Sequence, residues 1–139
     1  ISATSPKEST SSGQRKKYKI LLIEDESIVV DLTQRMLAAT CDLDSAPDGL
    51  SAIEKVLKNR YELIFLDINL GVGMDGLATL YEIRKVPGYQ SIPIIAFTAY
   101  VLPGDKEYFL HSGCDDYIAK PFTYVQIMHT INKWLDKKS

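Results

Sequence analysis

Apolar residues recur along this chain in two alternating rhythms. Short unbroken runs, YKILLI at 18–23, LIFLDI at 63–68 and IPIIAF at 92–97, read as strands buried on both faces. Between them apolar positions return every three or four residues, the spacing of a helix with one buried stripe. The pattern predicts a first strand over Tyr18–Ile23, then a helix with Ile28, Leu32 and Met36 on its stripe and Val29 and Leu37 beside them. A short strand over Cys41–Ala46 follows, and Pro47, Asp48 and Gly49 turn the chain into a helix carrying Leu50, Ile53 and Leu57 that ends near Asn59. After the strand Leu63–Ile68, the glycines Gly71, Gly73 and Gly76 read as a flexible loop ahead of a helix with Leu77, Leu80 and Ile83, closed by Pro87 and Gly88. The strand Ile92–Phe97 leads to a helix with Pro103 in its first turn, Tyr108 and Phe109 as apolar area and Gly113 as its stop. A last strand, Tyr117–Ala119, precedes a helix that Thr123 caps and that carries Tyr124, Ile127, Met128, Ile131 and Leu135 on one face. Five strand-then-helix repeats predict an α/β domain: a parallel sheet with helices on both faces.

Composition refines that picture. At 139 residues and 45% hydrophobic, the chain is long enough for one domain with a substantial core. Residues 1–17, ISATSPKESTSSGQRKK, are polar and Ser/Thr-rich and cannot bury enough surface to offset their ordering entropy. We read them as a disordered tail or linker and residues 18–138 as the folded domain. A chain that begins with Ile1 rather than Met reads as a piece of a longer protein. The net charge of -2 and pI near 5.7 supply no electrostatic footprint for nucleic acid, and the basic cluster Arg15, Lys16, Lys17 and Lys19 lies at the end of the tail. Direct binding of nucleic acid is not expected. No apolar run approaches the roughly 20 residues of a membrane span, so no direct membrane contact is expected either. Cys41 and Cys114 show neither CxxC nor Cys/His spacing and read as buried free thiols of a cytoplasmic protein.

The candidate chemistry sits at strand ends. Glu24, Asp25 and Glu26 follow the first strand, Asp67 ends the third and Lys120 follows the fifth. Parallel α/β sheets bind ligands in the crevice beyond the carboxyl ends of their strands, so Glu24, Asp25, Asp67 and Lys120 converge on one small volume. Carboxylates that close raise one another's pKa, and keeping them ionised calls for a hard divalent cation and a fixed ammonium. That composition suits magnesium and a phosphoryl group. Taken singly, each residue has an ordinary explanation. Glu26 reads as a solvated charge at a helix N-terminus, Asp67 as a turn aspartate, Thr98 as a strand-end hydroxyl and Lys120 as a surface lysine. His111, His129, Trp134 and Met128 read as surface or packing residues, and Gly71 with Gly73 completes no phosphate-binding fingerprint.

The order acidic pair, lone Asp in FLDINL, Thr in FTAY and Lys-Pro in KPF, each at a strand end, resembles the receiver domain of two-component response regulators. The resemblance covers roughly Lys17 to Lys138. It implies a doubly wound, flavodoxin-like sheet of five parallel strands in the order 2-1-3-4-5 with five helices on both faces. It further implies that Asp67 is the phosphoacceptor, that Glu24, Asp25, Asp67 and the backbone carbonyl of Asn69 hold Mg2+, and that Thr98 and Lys120 assist. Thr98 and Tyr117 then form the switch, and the Lys120–Pro121 bond is cis, a geometry proline makes accessible. The implied function is acceptance of a phosphoryl group from the phosphohistidine of a histidine kinase or phosphotransfer domain, which changes the face of the fourth helix, fifth strand and fifth helix. Phosphorylation and dephosphorylation of Asp67 are then self-catalysed, with no other enzymatic turnover. A homodimer through the fourth and fifth helices is a further possibility. So is a place as a stand-alone regulator or as the C-terminal receiver of a hybrid histidine kinase.

The sequence departs from the family pattern at three points. The acidic pair is Glu-Asp where Asp-Asp is commoner, which lengthens one arm of the metal site by a methylene. The loop after Asp67 has Gly71 where the family often has proline, and the stretch to Gly76 is one residue longer. Tyr100 is bulky where side chains control water access, and it is expected to slow hydrolysis of the aspartyl phosphate. Two alternatives remain. One is a receiver-fold interaction module that does not accept phosphate. The other is a Mg-dependent phosphatase, against which Asn69 stands where a second Asp belongs. A flavodoxin-like cofactor binder would need a phosphate-binding loop where this chain has EDES.

Overall fold

A computed structural model describes residues 17–70, 73–99 and 102–136. Ten elements alternate along them: β1 Tyr18–Ile23, α1 Ser27–Leu37, β2 Cys41–Ala46, α2 Gly49–Lys58, β3 Leu63–Asp67, α3 Gly76–Arg84, β4 Ile94–Thr98, α4 Asp105–His111, β5 Asp116–Ala119 and α5 Tyr124–Leu135. The five strands pair in parallel in the order β2-β1-β3-β4-β5. In this register Ile23 lies beside Leu66, Asp67 beside Phe97, and Thr98 beside Ala119. The ends of β1, β3, β4 and β5 therefore open on one edge.

Successive strand residues point to opposite faces, which splits the core in two. Leu21, Ile23, Ile64, Leu66, Ile94 and Ala96 join buried residues of α2, α3 and α4. Ile20, Leu22, Leu63, Phe65, Ile95 and Phe97 join Leu37 of α1 and Ile127 and Ile131 of α5. Each large side chain fully buried in these layers contributes about 1.5–3 kcal/mol. Both cysteines are buried and free, and burial pushes the Cys114 thiol up to about 11. No helix among the described residues is long and apolar enough to cross a membrane.

Several boundaries and faces differ from the sequence expectation. Strand β3 ends at Asp67 rather than Ile68, β4 runs Ile94–Thr98 rather than 92–97, and β5 starts at Asp116. Pro103 lies ahead of α4, not in its first turn, because Gly104 at φ 91° precedes the helix that begins at Asp105. The predicted α1 stripe faces outward at two of its three positions. Ile28 is 80% exposed and Leu32 48%, while Thr33 and Leu37 are buried and Val29 and Val30 pack against the core. On α2 the exposed Leu50 and Leu57 give way to Gly49, Ala52 and Val56. In α5, Ile127 and Ile131 are buried but Tyr124 is exposed. Thr123 does cap α5, in a capping box with Gln126.

Candidate functional site

Because β1 is buried on both faces, the residues just past its end stay close to the core, and the Glu24 carboxyl is only 1% exposed. Its neighbour Asp25 turns outward and is exposed. Asp67, the last residue of β3, is 4% exposed. Carboxylate oxygens of Glu24, Asp25 and Asp67 all lie within 4.8 Å of one another. Lys120, immediately beyond β5, reaches back across β4. Its backbone N–H donates to the Thr98 carbonyl at 2.7 Å, which fixes where the side chain starts. Its Nζ then lies 2.6 Å from Glu24 Oε1, 3.5 Å from Asp67 Oδ2 and 3.7 Å from Glu26 Oε1. The Lys120–Pro121 peptide is cis.

The electrostatics follow from this packing. Burial is the main cause that raises the Glu24 carboxyl to about 7, and the Asp67 charge adds to it. The Lys120 hydrogen bond and the Glu26 N–H, 3.2 Å from Glu24 Oε2, pull the other way. Burial works against the Lys120 ammonium, yet the Glu24 bond and the Asp67 charge outweigh it, so its pKa is raised. The ammonium therefore stays charged through the neutral range, and Glu24 is the member of the pair whose protonation changes there.

Asp67 is oriented at both oxygens. Oδ1 accepts the Asn69 backbone N–H at 2.9 Å, and Oδ2 faces Lys120. Thr98 closes β4 one strand away and is 1% exposed. The fold thus brings Glu24, Asp25, Asp67, Asn69, Thr98 and Lys120 to one edge. Tyr117 is not part of that crevice. It is half-buried against the α4 side of the sheet, with its ring 6.5 Å from that of Phe109 and the Lys106 ammonium 6.0 Å from its centroid. Tyr100 and Gly71 lie outside the described residues.

Two residues do more than their sequence context suggests. Glu26 is exposed as expected, yet it adds a third carboxylate to the Lys120 shell. Gly76 is not loop: it is the buried first residue of α3, pressed against the backbone of Asp67 and Ile68. Only the Asp-Gly pair before an apolar period could have hinted at that helix start, with Asp75 as its cap.

The three acids are hard oxygen donors of the kind that Mg2+ prefers, and two are buried with one ammonium between them. The donor set fits a small divalent cation. A chelated protein is expected to be stabilised by added Mg2+ in thermal melts, and calcium or a monovalent salt at equal ionic strength should do less.

The model of the response regulator receiver domain matches residues 20–132. Hybrid signal transduction histidine kinase G of Dictyostelium discoideum is 34% identical over 122 residues, which is 85% of this chain and 4% of that protein. Transcription factor SKN7 of Chaetomium thermophilum is 37% identical over 122 residues, 85% of this chain and 16% of that one. The chain thus spans a small part of the length of these relatives. Among solved structures, the receiver domain of a sensor histidine kinase of Pseudomonas aeruginosa, with a magnesium ion coordinated in its active-site cleft, superposes with a TM-score of 0.79 at 32% identity. That likeness covers 88% of this chain and all of the other. With residues 20–132 matched and the same doubly wound sheet, this chain belongs to the response regulator receiver domain family.

Proposed function

We propose that Asp67 is the phosphoacceptor of this receiver and that Lys120, Thr98, Glu24, Asp25 and the Asn69 carbonyl serve it. The observation that carries this reading is the buried Asp67 carboxylate, held between the Asn69 N–H and the Lys120 ammonium beside two further acids. An Asp67 oxygen attacks the phosphorus of a phosphohistidine. The new O–P bond forms as the P–N bond breaks, and the imidazole nitrogen departs with the electron pair and takes a proton from solvent. Such transfers are governed by positioning and charge neutralisation. Lys120, already 3.5 Å from Asp67 Oδ2, needs only a small shift from Glu24 to reach a phosphoryl oxygen. The Thr98 hydroxyl would donate to another. Glu24, Asp25, Asp67 and the Asn69 carbonyl would hold Mg2+, whose charge would offset that of the phosphoryl group. The phosphorylated Asp67 would draw Thr98 inward, with Tyr117 following into the space released.

The phosphodonor, a histidine kinase or phosphotransfer domain, would dock beside the crevice. Ile28 and Leu32 form an exposed apolar pair one turn apart on α1, directly after the acidic segment. Leu32→Asp is expected to slow transfer from a protein donor by about tenfold, the equivalent of ~1.4 kcal/mol, and to leave phosphorylation by acetyl phosphate unchanged. Equal slowing with both donors would remove α1 from the docking surface. Exposed Tyr108 and Leu110 on α4 and Tyr124 and Val125 on α5 supply apolar surface for an output partner or a second copy.

Intact mass after incubation with acetyl phosphate or phosphoramidate tests the reading directly. With Mg2+ a single phosphoryl adduct is expected, and with a chelator none. A folded protein that gains no adduct under either condition would point to the interaction module that does not accept phosphate.

A further inference from the structure

A Cβ placed on Gly76 would stand 2.6 Å from Ile68 Cα, 2.7 Å from the Ile68 carbonyl oxygen and 2.8 Å from the Asp67 carbonyl oxygen. Close-packed interiors do not admit such contacts, and backbone cannot swing aside as a flexible side-chain tip can. What would have to move are the peptides on either side of Ile68. The second of them runs from the Ile68 carbonyl to the Asn69 N–H, and that N–H donates to Asp67 Oδ1 at 2.9 Å. A peptide is planar and rigid. One stiff unit therefore touches α3 through its oxygen and the Asp67 carboxylate through its N–H.

We propose that Gly76 is a positioning residue for phosphoryl acceptance: it lets the first turn of α3 seat on the Ile68–Asn69 peptide and so fixes the N–H that aims the Asp67 carboxylate. The inference rests on the reading of Asp67 as phosphoacceptor. The seat is held from behind. Asp75 caps α3 by accepting the Ala78 N–H at 2.8 Å, and the Thr79 hydroxyl donates to the Asp75 carbonyl at 2.8 Å. Gly49, at the start of α2, leaves room for that Thr79 hydroxyl. With Oδ1 held by Asn69 and Oδ2 facing Lys120, the carboxylate has no freedom to turn unless the peptide does. Alanine is a better helix former than glycine, so any local propensity effect of Gly76→Ala favours the helix. Loss of function in that variant then comes from the displaced peptide.

The test compares wild type, Gly76→Ala and Ile83→Ala, the last opening a cavity farther along the same helix, where Ile83 is fully buried. Three quantities are read: the rate of adduct formation from phosphoramidate, the affinity for Mg2+ alone, and the 15N–1H shift of the Asn69 amide in metal-free protein. Gly76→Ala is expected to lower the rate about tenfold or more, weaken Mg2+ binding and move the Asn69 amide upfield. Ile83→Ala is expected to lose stability with all three nearly unchanged. A folded Gly76→Ala with a wild-type rate and a wild-type Asn69 shift overturns the proposal. If Gly76→Ala does not fold, Asp75→Ala decides. It frays the same turn, and a rate and Asn69 shift unchanged from wild type would overturn the proposal equally. Should wild type itself take no phosphoryl group, the reading of Asp67 fails, and the Asn69 shift still decides whether Gly76 sets that peptide.

Discussion

Asp67→Ala is expected to remove phosphoryl incorporation altogether while the protein stays folded. The Asp67 carboxylate is held at both oxygens, through the Asn69 N–H at one and Lys120 at the other. The fold does not depend on it. Deleting Asp67 takes a buried negative charge away from Glu24, whose pKa it helps to raise, and Lys120 keeps its 2.6 Å partner. The melting temperature should therefore hold or rise, because like charges that share a desolvated site cost stability. Intact mass with acetyl phosphate and Mg2+ reads the first outcome, and a thermal melt reads the second. An adduct of undiminished yield on the variant would move the acceptor to Glu24 or Asp25 and overturn the assignment.

Lys120→Met carries the other large effect, on stability as well as chemistry. It strips the ammonium from a site where Glu24 and Asp67 are almost wholly buried. Breaking one side of a buried pair costs about 3–5 kcal/mol when the remaining charge must stay. Here it can be discharged. Burial, with the Asp67 charge, already lifts Glu24 to about 7 from the 4.5 of a free glutamate, and loss of the Lys120 bond lifts it further. An acid whose pKa is raised on folding binds more protons folded than unfolded, so stability falls as pH rises through that window. The penalty of Lys120→Met should then be largest above about pH 8, at roughly 3 kcal/mol, and should shrink as pH falls toward 5. Urea denaturation of variant and wild type at the two pH values measures it. Equal destabilisation at both would mean that Glu24 does not take up the proton. Phosphorylation by acetyl phosphate should drop at either pH, since a phosphoryl oxygen loses its cation.

The strands were legible in the chain because a sheet covered on both faces demands apolar residues at consecutive positions, and YKILLI, LIFLDI and IPIIAF have few other uses. The convergence of Glu24, Asp25, Asp67 and Lys120 was legible from their places after apolar runs, because the carboxyl ends of parallel strands open on one edge. The stripes of α3 and most of α5 were legible too, whereas the faces of α1 and α2 were not. Periodicity belongs to a single helix, whereas burial belongs to two surfaces, and α1 offers both Ile28–Leu32 and Val29–Thr33–Leu37 as stripes at helical spacing. Only packing on the sheet chose the second and left the first beside the crevice. On α2 the close approach to α3 at Gly49 and Thr79 favoured the small Ala52 and Val56 over Leu50 and Leu57. The sequence by itself determined the α/β alternation, the strands to within two residues at their ends and the residue types of the site. Tertiary structure alone decided that Lys120 sits nearest Glu24 rather than Asp67, that Glu26 joins its shell, and that Gly76 presses on the peptide behind the phosphoacceptor. The first two are distances between segments far apart in the chain, the third is where α3 docks on the end of β3, and all are set by how helices and strands pack.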